Sequence, residues 1–192
     1  MLPQLLLQEL LKANVSSDSV RKLLEIIKFQ EVKNQQLLVI PGEICDKIFF
    51  VLEGGFVCRY VDEANEVEKT INFYLDNLHP FMSCVDSFFS ELPTRCELRA
   101  ISGAKVLVLS KKDLQLLMSE DMALFRFYHS MVTKALQEEN DLKLKLIAYT
   151  SEQLYQYLIG QLPVVIQRVP SRFIAEFMGI SPEWLSKLKH RK

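Results

Sequence analysis

Residues 171–192 read SRFIAEFMGISPEWLSKLKHRK. Ile174, Ala175 and Met178 fall on one side of a first helix, and Gly179 offers the positive-φ residue that a tight turn needs. Ser181, Pro182 and Glu183 then open a second helix as N-cap, first helical position and acidic first turn, with Leu185 and Leu188 continuing the apolar stripe. A small residue where two helices cross, followed four residues later by a glycine, is the signature of a helix-turn-helix. An ordinary helical corner shares the glycine and the leucines. The Ser-Pro cap and the basic second helix, added to these, point to DNA.

Charge along the chain agrees. The formal net charge is −1, from 23 basic and 24 acidic residues. From Arg168 onward six basic residues stand against two acidic ones, which leaves 17 against 22 in the rest. A basic end on an acidic body suits a terminal segment that meets a polyanion, although a solvated lysine-rich tail has the same balance.

Immediately upstream, residues 151–161 form a helical segment that breaks at Pro163. Before it the pattern predicts a long helix over residues 121–149, carrying Leu124, Tyr128, Met131, Ala135, Leu142 and Leu146 at near-heptad spacing, interrupted near Glu138 and Glu139. Such a seam fits pairing with a second copy of the chain across a two-fold axis better than packing only on its own protomer.

Residues 30–109 change character. Short runs rich in β-branched and aromatic residues, at 36–40, 46–52, 56–61, 66–74, 95–101 and 105–109, are punctuated by turn residues such as Pro41-Gly42, Gly54-Gly55 and Ser102-Gly103. Their spacing of roughly ten residues argues for an antiparallel roll or barrel. A short helix is expected over residues 81–91 after His79-Pro80, and another from Lys111. Two helices lead the chain, at residues 2–13 and 17–29, the second opened by the Ser16, Ser17, Asp18 cluster.

The composition excludes several classes. With 49% hydrophobic and 24% charged residues the chain is an ordinary globular one, and no apolar run nears the length of a bilayer span, so a cytoplasmic location without membrane contact is expected. Cys45, Cys58, Cys84 and Cys96 lie far apart, without a CxxC pair, and read as small buried hydrophobes kept reduced rather than as a metal site. His79, His129 and His190 are too scattered for a metal cluster, and no nucleophile–base arrangement stands out. A cupin-like enzyme would need a histidine and carboxylate set on the inner strands, and His79 is the single histidine between residues 30 and 109. No catalytic residue, metal or enzymatic activity is therefore assigned. A small-molecule-binding or protein-interaction module that does not read DNA is the alternative.

The order of elements resembles that of the Crp/Fnr superfamily, the cyclic-AMP receptor protein and fumarate-nitrate reductase regulators. The resemblance rests on the leading helices, the Pro-Gly-Glu turn at Pro41, Gly42 and Glu43, the run IFFVLEGG at residues 48–55, the long helix and the terminal motif. It implies an α+β fold: a cyclic-nucleotide-binding-like antiparallel β-roll (double-stranded β-helix) over residues 1–118, a dimerisation helix over 119–149 and a small helix-turn-helix domain over 150–192. It further implies a homodimeric, sequence-specific regulator whose partners are double-stranded DNA and a second copy of itself, with RNA polymerase and an unidentified effector as candidates.

On that resemblance, Glu183 and Lys187 face base edges, accepting from cytosine and donating to guanine, with Ser181, Ser186 and His190 on the same helix. Ser171, Arg172, Lys189, Arg191 and Lys192 are phosphate contacts, and Trp184 either packs on a neighbouring helix or touches sugar and thymine methyl groups. Pro182 stands where the cyclic-AMP receptor has an arginine, so the operator should differ. Cyclic-nucleotide-binding members hold ribose and phosphate with a Gly-Glu pair and an Arg-Ser or Arg-Thr pair; here the corresponding stretch is FMSCVDSFFSELPTRCELRA, residues 81–100. Ser83 and Cys84 replace the Gly-Glu pair, and Thr94 precedes Arg95 one residue from the expected arginine. The implied effector pocket, around Phe81, Ser83, Cys84, Thr94 and Arg95, lacks the ribose-binding carboxylate. Cyclic AMP is not expected, and no cofactor is assigned.

Overall fold

The computed structural model describes residues 4–190. Two leading helices, α1 (Gln4–Lys12) and α2 (Ser17–Ile26), precede eight strands: β1 (Lys28–Val32), β2 (Leu37–Val39), β3 (Lys47–Glu53), β4 (Gly55–Asp62), β5 (Val67–Leu75), β6 (Phe81–Met82), β7 (Cys96–Ala100) and β8 (Ala104–Ser110). The short helix α3 (Val85–Ser90) interrupts them between β6 and β7. Then come α4 (Lys111–Glu120), α5 (Met122–Ala148), α6 (Ser151–Gln161), α7 (Pro163–Arg168), α8 (Ser171–Met178) and α9 (Pro182–His190).

The strands make two four-stranded antiparallel sheets, ordered β1-β8-β3-β6 and β2-β7-β4-β5. Inward side chains such as Val51, Phe56, Leu98 and Val106 fill the space between the sheets and shut out water. A second core lies on the outer face of β4 and β5, where Val57, Phe73 and Leu75 meet α6 to α9. A third lies on the outer face of the other sheet, where Phe50 and Leu107 meet α1, α2, α4 and α5. Coverage on both faces explains why the first five residues of β4 are all buried instead of alternating.

Side-chain caps fix the helix starts. Ser16, Ser110 and Asp121 accept from backbone N–H groups two or three residues on, and Thr150 with Gln153 forms a capping box. Two expectations are corrected. The second helix stops at Ile26, because Ile27 turns extended and Lys28–Val32 pairs with β8 as an edge strand. The helix expected over residues 81–91 begins later, since Phe81 and Met82 pair with Phe50 and Phe49. α6 ends at Gln161, ahead of the break at Pro163, and Pro163 itself opens a separate helix, α7, where its missing N–H costs nothing. No helix among the described residues is long and apolar enough to cross a membrane.

Candidate functional site

α8 and α9 form the terminal helix pair. α8 ends because Gly179 adopts φ +66°, its N–H returning to the carbonyls of Ala175 and Glu176. A Cβ there would meet nothing within 4 Å, so the backbone angle rather than space selects glycine. Ser181 Oγ accepts from the Trp184 N–H at 3.2 Å, and Pro182 takes the first helical position. Leu185 and Leu188 are buried, whereas Glu183, Ser186, Lys187, Lys189 and His190 are exposed on the outer face. The backbone N–H of Glu183 and the Ser181 side chain hold the Glu183 carboxyl below its ordinary value.

The other expected phosphate contacts lie beside this face. Lys189 Nζ donates to Ser171 Oγ at 2.6 Å. Arg172 stacks on Phe173 with 4.4 Å to the ring centroid and donates to Gln35 at 2.7 Å. Trp184 is half-buried, its indole N–H donating to Ser151 Oγ at 3.2 Å, so the ring ties α9 to α6. Arg191 and Lys192 lie outside the described residues.

The helix pair rests on the roll through a polar latch between residues far apart in sequence. Arg59 on β4 donates from Nε to Glu176 at 3.0 Å and from Nη1 to Glu97 at 2.9 Å, and Glu68 takes Nη2. Thr70 donates to the same Glu176 carboxylate at 2.8 Å. Burial works against the Arg59 charge, yet the three carboxylates outweigh it and raise its pKa. Burial likewise pushes Glu97 up, but Arg99 and Arg59 hold it down on balance. Arg168 forms a second clamp, gripping Asp76 at 2.6 and 3.0 Å and the Gly54 carbonyl at 2.8 Å. Between the clamps Phe73 packs on Phe177 with ring centroids 4.8 Å apart. Charges of opposite sign inside mostly apolar strands, Arg59 in GFVCRYVD and Glu97 in CELRA, are the sequence signal that could have pointed to these residues.

Of the expected effector residues, the structure gathers Ser83, Cys84 and Thr94 around α3. Thr94 is buried, and its hydroxyl lies 2.9 and 3.0 Å from the two Asp86 carboxylate oxygens while accepting from the Cys96 N–H at 2.9 Å. The Arg95 N–H donates to Asp86 at 3.2 Å. The Arg95 guanidinium turns outward toward the Tyr60 hydroxyl, 3.4 Å away. Ser83 donates to the Lys47 carbonyl at 2.9 Å, and Phe81 stands edge-on to Phe50 at 4.7 Å. Asp86 thus already occupies the donors that Thr94 and the Arg95 backbone present.

A groove of about 1070 Å³ separates the roll from α5. Tyr128, Met131, Ala135 and Leu142, four members of the heptad-like stripe, line it, and Leu124 is buried within its own protomer. Leu146, the sixth member, is exposed, and so are Met122, Phe125, Leu136, Leu144 and Ile147, with Leu136 also at the groove and Phe125 and Ile147 roughly 100° further round the helix. Within the groove Asn72 bonds Glu139, whose carboxyl is pushed up by burial and then by Glu138. His79 is held below its ordinary value by burial, although Glu138 at 3.2 Å favours its charged form.

A roll of two antiparallel sheets, a long helix and a terminal helix-turn-helix define the fold of the Crp/Fnr transcription regulators. The chain is similar to the structure of FixK2 from Bradyrhizobium japonicum, with TM-score 0.71 and 14% identity over 85% of this chain and 83% of that one. It is also similar to a putative transcriptional regulator of the Crp/Fnr family from Eubacterium rectale, with TM-score 0.70 and 10% identity over 93% and 83%. A third similar structure is the c-di-GMP responsive global regulator CLP from Xanthomonas campestris, with TM-score 0.68 and 14% identity over 90% and 89%. These likenesses lie in the fold. No protein-family model and no curated protein matches the sequence.

Proposed function

We propose that the chain is a sequence-specific DNA-binding transcription regulator of the Crp/Fnr type that acts as a homodimer. The observation that carries this reading is the outer face of α9, where Glu183, Ser186, Lys187 and His190 are all exposed while Leu185 and Leu188 anchor the helix from behind. Glu183 and Lys187 lie one turn apart and read base edges; Ser171, Arg172, Lys189, Arg191 and Lys192 grip phosphates and set the register. Residues 1–118 form the sensor roll, 119–149 the dimer helix and 150–192 the DNA reader. Two copies joined along the exposed stripe of α5 present the α9 helices to half-sites about one helical turn, ~34 Å, apart. RNA polymerase and a small-molecule effector are the remaining partners.

The effector is not a cyclic nucleotide in this reading. Asp86 satisfies the Thr94 hydroxyl and the Arg95 N–H, so a phosphate entering there would meet a carboxylate with both donors already spent. Selection of duplexes from a random pool tests the DNA assignment. A single enriched motif with two-fold symmetry is expected. Lys187→Ala then lowers discrimination at one base pair by roughly 5- to 150-fold, the equivalent of about 1–3 kcal/mol. Lys189→Ala weakens all duplexes alike and reduces the salt slope by about one. Equal binding to every duplex at physiological salt overturns the reading.

A further inference from the structure

The turn between β5 and β6 is gripped from two sides. Leu75 and Leu78 close it by exchanging backbone bonds of 2.8 and 3.1 Å, and the Pro80 carbonyl accepts from the Val51 N–H at 2.8 Å, so residues 75–80 form one stiff unit. On one side Arg168, the last residue of α7, grips Asp76 at 2.6 and 3.0 Å and reaches Asn77 at 3.3 Å. The Gly54 N–H donates to the same Asp76 carboxylate at 3.1 Å. On the other side His79 Nδ1 stands 3.2 Å from the Glu138 carboxylate on α5. Leu78, between the two grips, packs with Leu142 of α5 against the core beneath α6 to α9. A shift of His79 against α5 therefore reaches Arg168 through a closed turn.

His79 is the weak point of this unit. Its backbone holds φ +49°, a left-handed angle disfavoured for a residue with a Cβ, so the surroundings rather than the residue fix it. The imidazole, 34% exposed, faces the groove beside α5, whose wall also includes Leu78 and Pro80. Glu138 does not serve it alone, since Lys134 stands 3.8 Å from the same carboxylate. Glu139, next along α5, bonds Asn72 on β5, and Tyr74 on β5 is buried, which keeps its phenol neutral. Elsewhere in the groove stand Arg126, and Glu9 paired with Lys12 at 2.7 Å. Burial acts first against an imidazolium, Glu138 offsets part of that, and Lys134 opposes the charge again, so His79 lies below the ordinary histidine value.

We propose that residues 75–80 tie α5 to the terminal helices and that acid loosens this tie by placing a proton on His79. The neutral ring fits a half-buried seat, whereas an imidazolium gains by turning out into water. The seat contributes fully above the unfolded-state value of about 6.5, and its contribution is lost as pH falls toward the lower folded one. Glu139 has the opposite sign: burial and then Glu138 push it up, so its contribution is present below about 4.3 and fades as pH rises through the folded value. Asp76, held down by Arg168, stays ionised throughout the His79 window. The proposal concerns the hold on α7 and stands apart from what α9 meets.

The test uses the full chain without DNA, isotopically labelled so that the His79 ring is assigned in the parent protein and titrated by nuclear magnetic resonance. Amide hydrogen exchange of residues 75–80 and of α7 is compared at about pH 7.5 and about pH 5.5, each rate corrected for intrinsic chemistry. His79 is expected to titrate below about 6.5, with the turn and α7 both opening several-fold more often at the lower pH. In His79→Asn, a side chain that tolerates the left-handed angle and takes up no proton, the difference between the two pH values should vanish at both places. A His79 midpoint at or above about 6.5, equal opening at the two pH values, an acid response confined to the turn, or an unchanged response in the variant each overturns the proposal. The titration and the exchange of the parent protein decide the first three of these, so a variant that fails to fold does not rescue it.

Discussion

Exchanging Arg59 for methionine and Glu176 for glutamine, singly and together, measures how firmly the terminal helices are held to the roll. The guanidinium reaches Glu176 through two bonds, of 3.0 and 3.3 Å, and the Arg59 side chain is 9% exposed against 26% for Glu176. Hydrogen bonds to charged groups contribute about 1.5–3 kcal/mol each, and the partial exposure of Glu176 places this pair toward the lower end. Glu176→Gln should therefore cost about 2 kcal/mol and lower Tm by about 4–8 °C in a chain of this size. Arg59→Met should cost more, because it also removes a partner from the buried Glu97 carboxylate, leaving Arg99 alone to serve it. The double variant should be less damaged than the sum of the two, with a coupling energy of about 1.5–3 kcal/mol from urea unfolding followed by circular dichroism. Losses that add to within about 0.5 kcal/mol would show that the latch contributes nothing across the interface, and the argument from its geometry would be refuted.

Acid should weaken the same contact. Arg168 holds the Asp76 carboxyl below its ordinary value, so this stabilisation is complete above the unfolded-state value of about 3.9 and is lost as pH falls through the folded one; Glu97 acts with the same sign. The urea midpoint should decline below about pH 4.5, and Asp76→Asn should flatten that decline; parallel curves for parent and variant would count against the clamp. Gly179→Ala should cost about 1 kcal/mol through its left-handed backbone alone, read as a Tm loss of about 2–4 °C, whereas an unchanged Tm would deny the positive φ. Phe125→Glu with Ile147→Glu should convert a dimer to a monomer in sedimentation without unfolding it, and a persistent dimer would place the pairing on another face.

The parts of the fold legible in the sequence are those written in neighbouring residues. The Ser16, Ser110 and Asp121 caps, the Gly179 turn and the Ser-Pro start of α9 each depend on a few consecutive positions, so they can be read without knowing what lies opposite. β1 escaped that reading because it is an edge strand with little alternation, preceded by Ile26 and Ile27, which extend the apolar pattern of α2. β6 escaped because two residues carry no period at all. The stripe on α5 has the spacing of a buried face, but spacing does not say which partner a face meets. Tyr128, Met131 and Ala135 turn toward the groove, and Phe125 and Ile147, a step further round, stay bare.

The candidate site divides along the same line. The exposure of Glu183, Ser186 and Lys187 follows from helical spacing once Leu185 and Leu188 are assigned inward, and the structure has them so. The latch could not be read in this way, since Arg59 and Glu176 stand 117 positions apart and only the docking of α8 on β4 and β5 makes them partners. The cysteines carry the sharper lesson. Ligand-spacing rules assume that sulfurs meet across one turn or one hairpin, and by that measure Cys45, Cys58, Cys84 and Cys96 are unrelated. In a roll, however, each strand returns over another and every inward position approaches one interior, so separation along the chain loses its meaning there. Cys58 follows Val57 and precedes Arg59 on a strand whose side chains alternate, which sends its sulfur into the core of the roll and Arg59 to Glu176. One strand thus joins the interior of the roll to the helix pair, and a change of packing on one side lies a single residue from the contact on the other.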